Sequence, residues 1–214
     1  MHLTGKPVIY FDWDGTLADS MELCMGEIAL SLEWMGLPPR TESELRKLNG
    51  PTIEEAGVLL GIPPERMEEH LQLRKDAQVA IFKEKQKLFS GVYEMLETLR
   101  KEAELVLVSN GYPEYIDRSV DLTDTRGLFA HIQPCVEGRN KTQVLAMLLE
   151  RMRPTRCVMV GDRKGDLIAG RENGVPTIAA AYGYGTPEEW ALADDRADSV
   201  QLLQKMLTDF IRKA

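Results

Sequence analysis

Two aspartates one residue apart, Asp12 and Asp14 in "YFDWDGTLADS" (Tyr10–Ser20), stand between a short apolar run and a glycine. Like charges this close need compensation from water, hydrogen bonds or a cation. Polar residues close two further apolar runs: Ser109 and Asn110 end "ELVLVSN", and "RCVMVGD" leads through Gly161 and Asp162 to Asp166. Lys141 opens a helix-patterned segment between these runs. Four carboxylates gathered in one crevice are costly unless a divalent cation sits among them, and hard oxygen donors suit Mg²⁺. With that ion the set supports phosphoryl transfer. One carboxylate attacks phosphorus and forms an acyl phosphate that water later hydrolyses. The second protonates the leaving oxygen and afterwards activates the water. Ser109, a backbone N–H and Lys141 hold the phosphoryl oxygens where charge develops.

These residues meet only if the elements carrying them are neighbours. "PVIYF" (Pro7–Phe11), "ELVLVSN" (Glu104–Asn110), "RCVMVGD" (Arg156–Asp162) and "VPTIAAA" (Val175–Ala181) are short β-branched runs that read as strands buried on both faces. Helix-period segments separate the later ones: "GVYEMLETLRKEA" from Gly91, "KTQVLAMLLERM" from Lys141 and "DLIAGREN" from Asp166, the last stopping at Gly174, a left-handed C′ residue. Strand–helix–strand repetition predicts an α/β fold with a doubly wound parallel sheet. Ligands of such sheets bind beyond the carboxyl ends of the strands, where the polar residues lie. The final segment, "SVQLLQKMLTDFIRKA", is expected to pack on the sheet as a helix.

Between the first two strands the rhythm changes. From Ala18 to Lys87 the patterns are helical only, about four segments separated by Gly and Pro, which predicts an all-helical insertion (18–87) in a core formed by 1–17 and 88–214. Its position directly after the aspartate pair marks it as a cap. Trp34 and Met35 read as cap core, Trp13 as packing under the cap, and the charged helix from Glu65 to Lys87 as a solvated face. Arg46, Lys47, Asn49 and Gly50 are the cap candidates for reading a substrate's leaving group.

At 214 residues and 43% hydrophobic the chain can bury one main core and a smaller one. Its net charge of −8 argues against a nucleic-acid partner, since no excess of Lys and Arg exists to displace counterions. The N-terminal apolar run is too short for a signal peptide, and no window approaches a membrane span. Three scattered cysteines read as reduced thiols. The expectation is a cytoplasmic protein, monomer or homodimer, with a small phosphorylated metabolite as its partner. His2, His70 and His131 have no metal-ligand spacing and read as surface residues.

"DWDGT" (Asp12–Thr16), "SN" (Ser109–Asn110), Lys141 and "GDRKGD" (Gly161–Asp166) resemble, in order and spacing, the four motifs of the haloacid dehalogenase-like superfamily. The likeness covers nearly the whole chain. "NGPTIEEAG" (Asn49–Gly57) is similar to a cap loop of its phosphoglycolate phosphatase-like branch, and "YGYGTPEEW" (Tyr182–Trp190) to the segment after its fourth strand. The resemblance implies a Rossmann-like core with a helical cap and a magnesium-dependent phosphatase reaction. Asp12 would be nucleophile and metal ligand, Asp14 acid/base and ligand through its backbone carbonyl, and Asp162 the third protein ligand. Ser109, Asn110 and Lys141 would bind the phosphate, with Thr16 and Asp166 in support. The second aspartate, Asp14, favours phosphate ester over carbon–halogen cleavage. Lys141 is followed by Thr, Gly111 stands where many members have lysine, and Arg163 where threonine is usual, so phosphoglycolate is one candidate substrate among several.

Each residue also has a purely structural reading. Asp12 and Asp14 can start a turn before Gly15, Ser109 and Asn110 suit a turn before Gly111, a helix-start lysine normally faces solvent, and Asp166 suits an N-cap. The joint pattern outweighs these. The alternatives to a monoester phosphatase are a sugar phosphomutase with the same core, a pyrophosphatase and a non-catalytic binding module.

Overall fold

The computed structural model describes residues 5–48, 51 and 53–213. Its chain divides into two compact units, Met1–Ala18 with Leu88–Ala214, and Asp19–Lys87.

The first unit is built on a six-stranded sheet: β1 Val8–Phe11, β2 Glu104–Val108, β3 His131–Gln133, β4 Cys157–Gly161, β5 Thr177–Ala180 and β6 Asp195–Ala197. All neighbouring strands pair in parallel, in the order β3-β2-β1-β4-β5-β6. The four apolar runs of the sequence are the four central strands. The edge strands β3 and β6 escape a pattern search because they are three residues long and carry no apolar run, being half-buried or largely exposed. Six helices flank the strands in sequence: α5 Val92–Leu99, α6 Pro113–Leu122, α7 Lys141–Met152, α8 Lys164–Glu172, α9 Pro187–Trp190 and α10 Val200–Arg212.

Strand alternation decides the core. Val8 and Tyr10 of β1, Val106 and Val108 of β2 and Met159 of β4 point to one face, where Val144, Leu145, Leu148 and Met152 of α7 and Ala169 of α8 pack on them. Their alternates Ile9, Phe11, Leu105, Leu107, Val158 and Val160 are equally buried, so the sheet is covered on both sides. The last helix, α10, buries Val200, Leu203 and Leu207 and packs against α5 and β6. Gly174 takes φ +66° just beyond α8, as expected for a left-handed helix stop.

The second unit is helical: α1 Met21–Trp34, α2 Glu42–Arg46, α3 Ile53–Leu60 and α4 Met67–Lys85, with a 3₁₀ turn at Pro64–Arg66. Ile28, Leu32, Met35, Leu45, Leu48, Ala56, Leu60 and Ile62 form its apolar core. Met35 joins this core but Trp34 does not. It is 45% exposed, because Ile28, Leu32 and Met35 recur at helical spacing on one face of α1 and Trp34 lies off that face.

A second correction concerns α4, whose buried residues include His70, Arg74 and Gln78 as well as Ala77 and Phe82. Spaced by four, the three polar residues lie on one helix face. Both Arg74 and Gln78 bind Glu27 of α1, Gln78 Nε2 at 2.7 Å from Glu27 Oε2 and Arg74 by a short ion pair. His70 is fully buried, not a surface residue, and its two ring nitrogens find no hydrogen-bond partner among the described residues. His131 is half-buried on β3, and His2 lies outside the described residues. No helix among the described residues is long and apolar enough to cross a membrane.

Candidate active site

The strand order reverses at β1, which has β2 on one side and β4 on the other, and a parallel sheet opens its ligand crevice at such a reversal. Phe11 is level with Leu107 and Val160, so the ends of all three strands come together. The β1–β4 ladder runs one residue further, with Asp12 N donating to Val160 O at 2.9 Å. The chain then turns sharply: Leu17 N and Ala18 N both donate to Trp13 O, at 2.9 and 2.8 Å. Gly15 makes the turn possible with φ +81°, and a Cβ there would stand 2.3 Å from Asp162 Oδ2. The glycine of "DWDGT" thus lets the β4 carboxylate approach the β1 loop. Trp13 is completely buried beside it.

Asn140 caps α7, its Oδ1 accepting from Gln143 N at 2.9 Å while Gln143 Oε1 accepts from Asn140 N at 3.0 Å. This capping box fixes the first helical turn and with it Lys141. A cation at a helix N-terminus opposes the helix dipole by about 0.3–1 kcal/mol, so only strong partners justify it here. They are two carboxylates. Lys141 Nζ donates to Asp12 Oδ1 at 2.6 Å and to Asp166 Oδ1 at 2.5 Å, and all three side chains are at least nine-tenths buried. Burial on its own would lower the Lys141 ammonium, but Asp12 and Asp166 outweigh it and raise it above the usual lysine range. The lysine therefore stays charged.

Asp166 is not the N-cap of α8. The helix starts two residues earlier, at Lys164, and Asp166 occupies its third position, with Oδ2 accepting from the backbone N of the cap residue Arg163 at 3.1 Å. Both of its oxygens are thereby engaged. Asp162 is fully buried, its Oδ2 accepting from Tyr184 N at 2.7 Å and its Oδ1 reached by Thr16 Oγ1 at 3.5 Å. Burial, then the charges of Asp12 and Asp166, push the Asp162 carboxyl well above the ordinary range. Burial and Asp166 likewise push Asp12 up to about 7, against the pull of Lys141. One carboxylate oxygen from each of Asp12, Asp162 and Asp166 lies within 4.8 Å of the others. Three buried carboxylates opposed by one ammonium carry excess negative charge, the condition a divalent cation relieves, and the oxygens of Asp12 and Asp162 are hard donors of the kind that fit magnesium.

The side chain of Asp14 is not in that group. It is half-buried, and its Oδ1 accepts from the hydroxyl of Tyr115 on α6 at 2.5 Å. Ser109, 4% exposed at the end of β2, accepts from Gly111 N through Oγ at 3.0 Å. Its own hydroxyl hydrogen is thus directed elsewhere. Asn110 beside it is half-buried. In the helical unit Arg46 and Lys47 are exposed, Arg46 being ion-paired with Glu42 at 2.7 Å, while Asn49 and Gly50 lie outside the described residues.

Pattern reading assigned no role to three aromatic residues that contact the site. Tyr184 supplies the backbone N–H to Asp162, and Trp190 Nε1 donates to Asp162 O at 3.0 Å. Tyr182 Oη donates to Thr16 O at 2.8 Å. Their segment follows β5, the fifth strand in chain order rather than the fourth, since the short strand β3 carries no apolar run. The glycine–tyrosine alternation in "YGYG" was the available signal.

Among curated proteins the chain is 26% identical over 190 residues to a 5'-nucleotidase of Pseudomonas aeruginosa, covering 86% of each. It is 26% identical over 196 residues to a phosphoglycolate phosphatase of Caulobacter vibrioides, covering 86% of this chain and 83% of that protein. A haloacid dehalogenase-like family hydrolase from Streptococcus pneumoniae shares the fold, with a TM-score of 0.85 at 21% identity over 97% of this chain and all (100%) of that one. Residues 9–180 match the model of the haloacid dehalogenase-like hydrolases, and the chain belongs to that family.

Proposed function

We propose that this hydrolase is a magnesium-dependent phosphatase that cleaves a small phosphate monoester through an aspartyl-phosphate on Asp12. The observation that carries the reading is Lys141, buried at the strand-order reversal and bound to Asp12 and Asp166 at once. The phosphatase and nucleotidase activities named for its relatives point the same way, and phosphoglycolate is a candidate substrate.

Asp12 and Asp162 with the backbone carbonyl of Asp14 would hold the ion, and Asp166, engaged through both oxygens, would support Lys141. When bound, the ion offsets negative charge on the carboxylates and phosphate and polarises the phosphoryl group. The protein's own groups do the rest. An Asp12 oxygen bonds to phosphorus as the P–O ester bond breaks. The electron pair leaves on the ester oxygen, which takes a proton from the Asp14 carboxylic acid. The Asp14 carboxylate then removes a proton from water, whose oxygen attacks phosphorus and releases Asp12 and inorganic phosphate. Lys141 and the hydroxyl of Ser109, with Asn110 beside it, hold the phosphoryl oxygens as charge shifts onto them. The helical unit, inserted directly after this loop, would act as the cap.

Phosphate release from a panel of small monoesters and pyrophosphate, with and without Mg²⁺, tests the reading beside Asp12→Asn. Metal-dependent release lost in the variant is expected. No release from any compound refutes it, and isomerisation of a sugar phosphate without release identifies a phosphomutase instead.

A further inference from the structure

We infer that Tyr115 is a positioning residue for Asp14, holding the carboxyl that exchanges protons with leaving group and water. The inference rests on the phosphatase reading, and it starts from two independent features of this chain.

The first is the contact itself. Tyr115 Oη lies 2.5 Å from Asp14 Oδ1, and the tyrosine is 6% exposed on α6, a helix separated from the Asp14 loop by a hundred residues of chain. The second is the space the ring occupies. A Cβ on Gly111 would meet Tyr115 Cδ1 at 2.6 Å, Cε1 at 3.1 Å and Ile116 Cδ1 at 3.0 Å. Residue 111 cannot easily retreat, because its N–H donates to Ser109 Oγ at 3.0 Å and its carbonyl accepts from Cys135 N at 3.0 Å. Any side chain at 111 therefore competes with the ring for the same volume. The glycine and the tyrosine form one device: the missing side chain admits the ring, and the ring carries a hydroxyl to Asp14.

A phenol suits this position because it serves both states of its partner. It donates to the carboxylate in a charge-assisted bond, and to the carbonyl oxygen of the neutral acid in a weaker one. The Asp14 side chain is thus kept in one orientation while its proton passes to the departing ester oxygen, and again while it takes a proton from water. Orientation of this kind matters most where proton transfer limits the step. An alkyl phosphate expels a basic alkoxide that needs the proton. 4-Nitrophenyl phosphate expels a stabilised phenolate that does not.

The test compares kcat/KM for an alkyl monoester that the wild type hydrolyses with kcat/KM for 4-nitrophenyl phosphate. Wild type, Tyr115→Phe, Gly111→Ala, the double variant and Asp14→Asn are measured at matched folding by circular dichroism. Tyr115→Phe is expected to lose roughly ten- to hundredfold on the alkyl ester, the scale of one hydrogen bond to a charged group, and little on the aryl ester. Gly111→Ala should lose in the same selective way, and the double variant should be no worse than the poorer single one. Equal losses on both substrates would assign Tyr115 a structural role only and overturn the inference. So would a Tyr115→Phe enzyme that keeps its alkyl activity while Asp14→Asn loses it, which leaves the phosphatase reading intact. A wild type inactive on every monoester overturns both.

Discussion

Replacing Lys141 by methionine keeps most of the side-chain volume and deletes one buried charge, so its effect can be worked from the site. The ammonium is within 2.6 Å of Asp12 and 2.5 Å of Asp166, with all three groups buried. Without it, oxygens of Asp12, Asp162 and Asp166 remain within 4.8 Å of one another. Two unit charges at that spacing repel by about 3 kcal/mol at an effective dielectric of roughly 20. Breaking a buried ion pair from one side costs a similar amount, about 3–5 kcal/mol. For a chain of this size each kcal/mol moves the melting midpoint by about 2–4 °C, so Lys141→Met should melt roughly 10 °C below wild type in metal-free buffer. Adding Asp166→Asn removes one of the stranded charges and should recover most of the loss. Mg²⁺ should raise the midpoint of Lys141→Met more than that of wild type, because the ion replaces the missing positive charge. Thermal unfolding followed by circular dichroism in chelator, then in Mg²⁺, reads all three effects. A Lys141→Met midpoint within a degree or two of wild type, or an Asp166→Asn change that makes it worse, would refute the electrostatic account of the site.

Two further outcomes follow from buried groups. Burial first, and then the charge of Arg74, hold the His70 imidazole down at about 4, against 6.5 for the ordinary side chain. The folded state binds fewer protons there than the unfolded chain. Its contribution is complete above pH 6.5 and is lost as pH falls toward 4, by about 3 kcal/mol at 1.36 kcal/mol per pH unit. Denaturant unfolding of His70→Leu should therefore show a shallower loss across that window than wild type, and parallel curves would refute it. At Gly15, alanine meets both the positive φ and Asp162 Oδ2. Gly15→Ala should lose about 1–2 kcal/mol of stability in urea unfolding and roughly a hundredfold in kcat/KM for the best monoester, as a displaced catalytic constellation does. Wild-type activity in this variant would show that Asp162 need not sit where it does.

The four central strands were legible in the chain because a strand buried on both faces must be an apolar run, and three of them ended where the polar chemistry began. The same runs implied the parallel sheet and its carboxyl-end crevice. The motif residues Asp12, Lys141, Asp162 and Asp166 were legible as a set, though their separate contacts were not. Edge strands β3 and β6 were invisible, since partly exposed three-residue segments need no apolar pattern and are defined only by the neighbour they pair with. The polar face of α4 misled for a related reason. Arg74 and Gln78 read as solvated because their buried partner, Glu27, lies 47 and 51 residues away and meets them only when α1 packs on α4. Tyr115 is the clearest case on the functional side. Residue types and local spacing marked Asp14 as a candidate for proton transfer, although a carboxylate before a glycine at a strand end also suits a simple turn. The residue that binds it across 101 positions of chain became visible only when α6 set its ring in the space above Gly111. Local sequence determined which groups could do chemistry; long-range packing decided which of them touch.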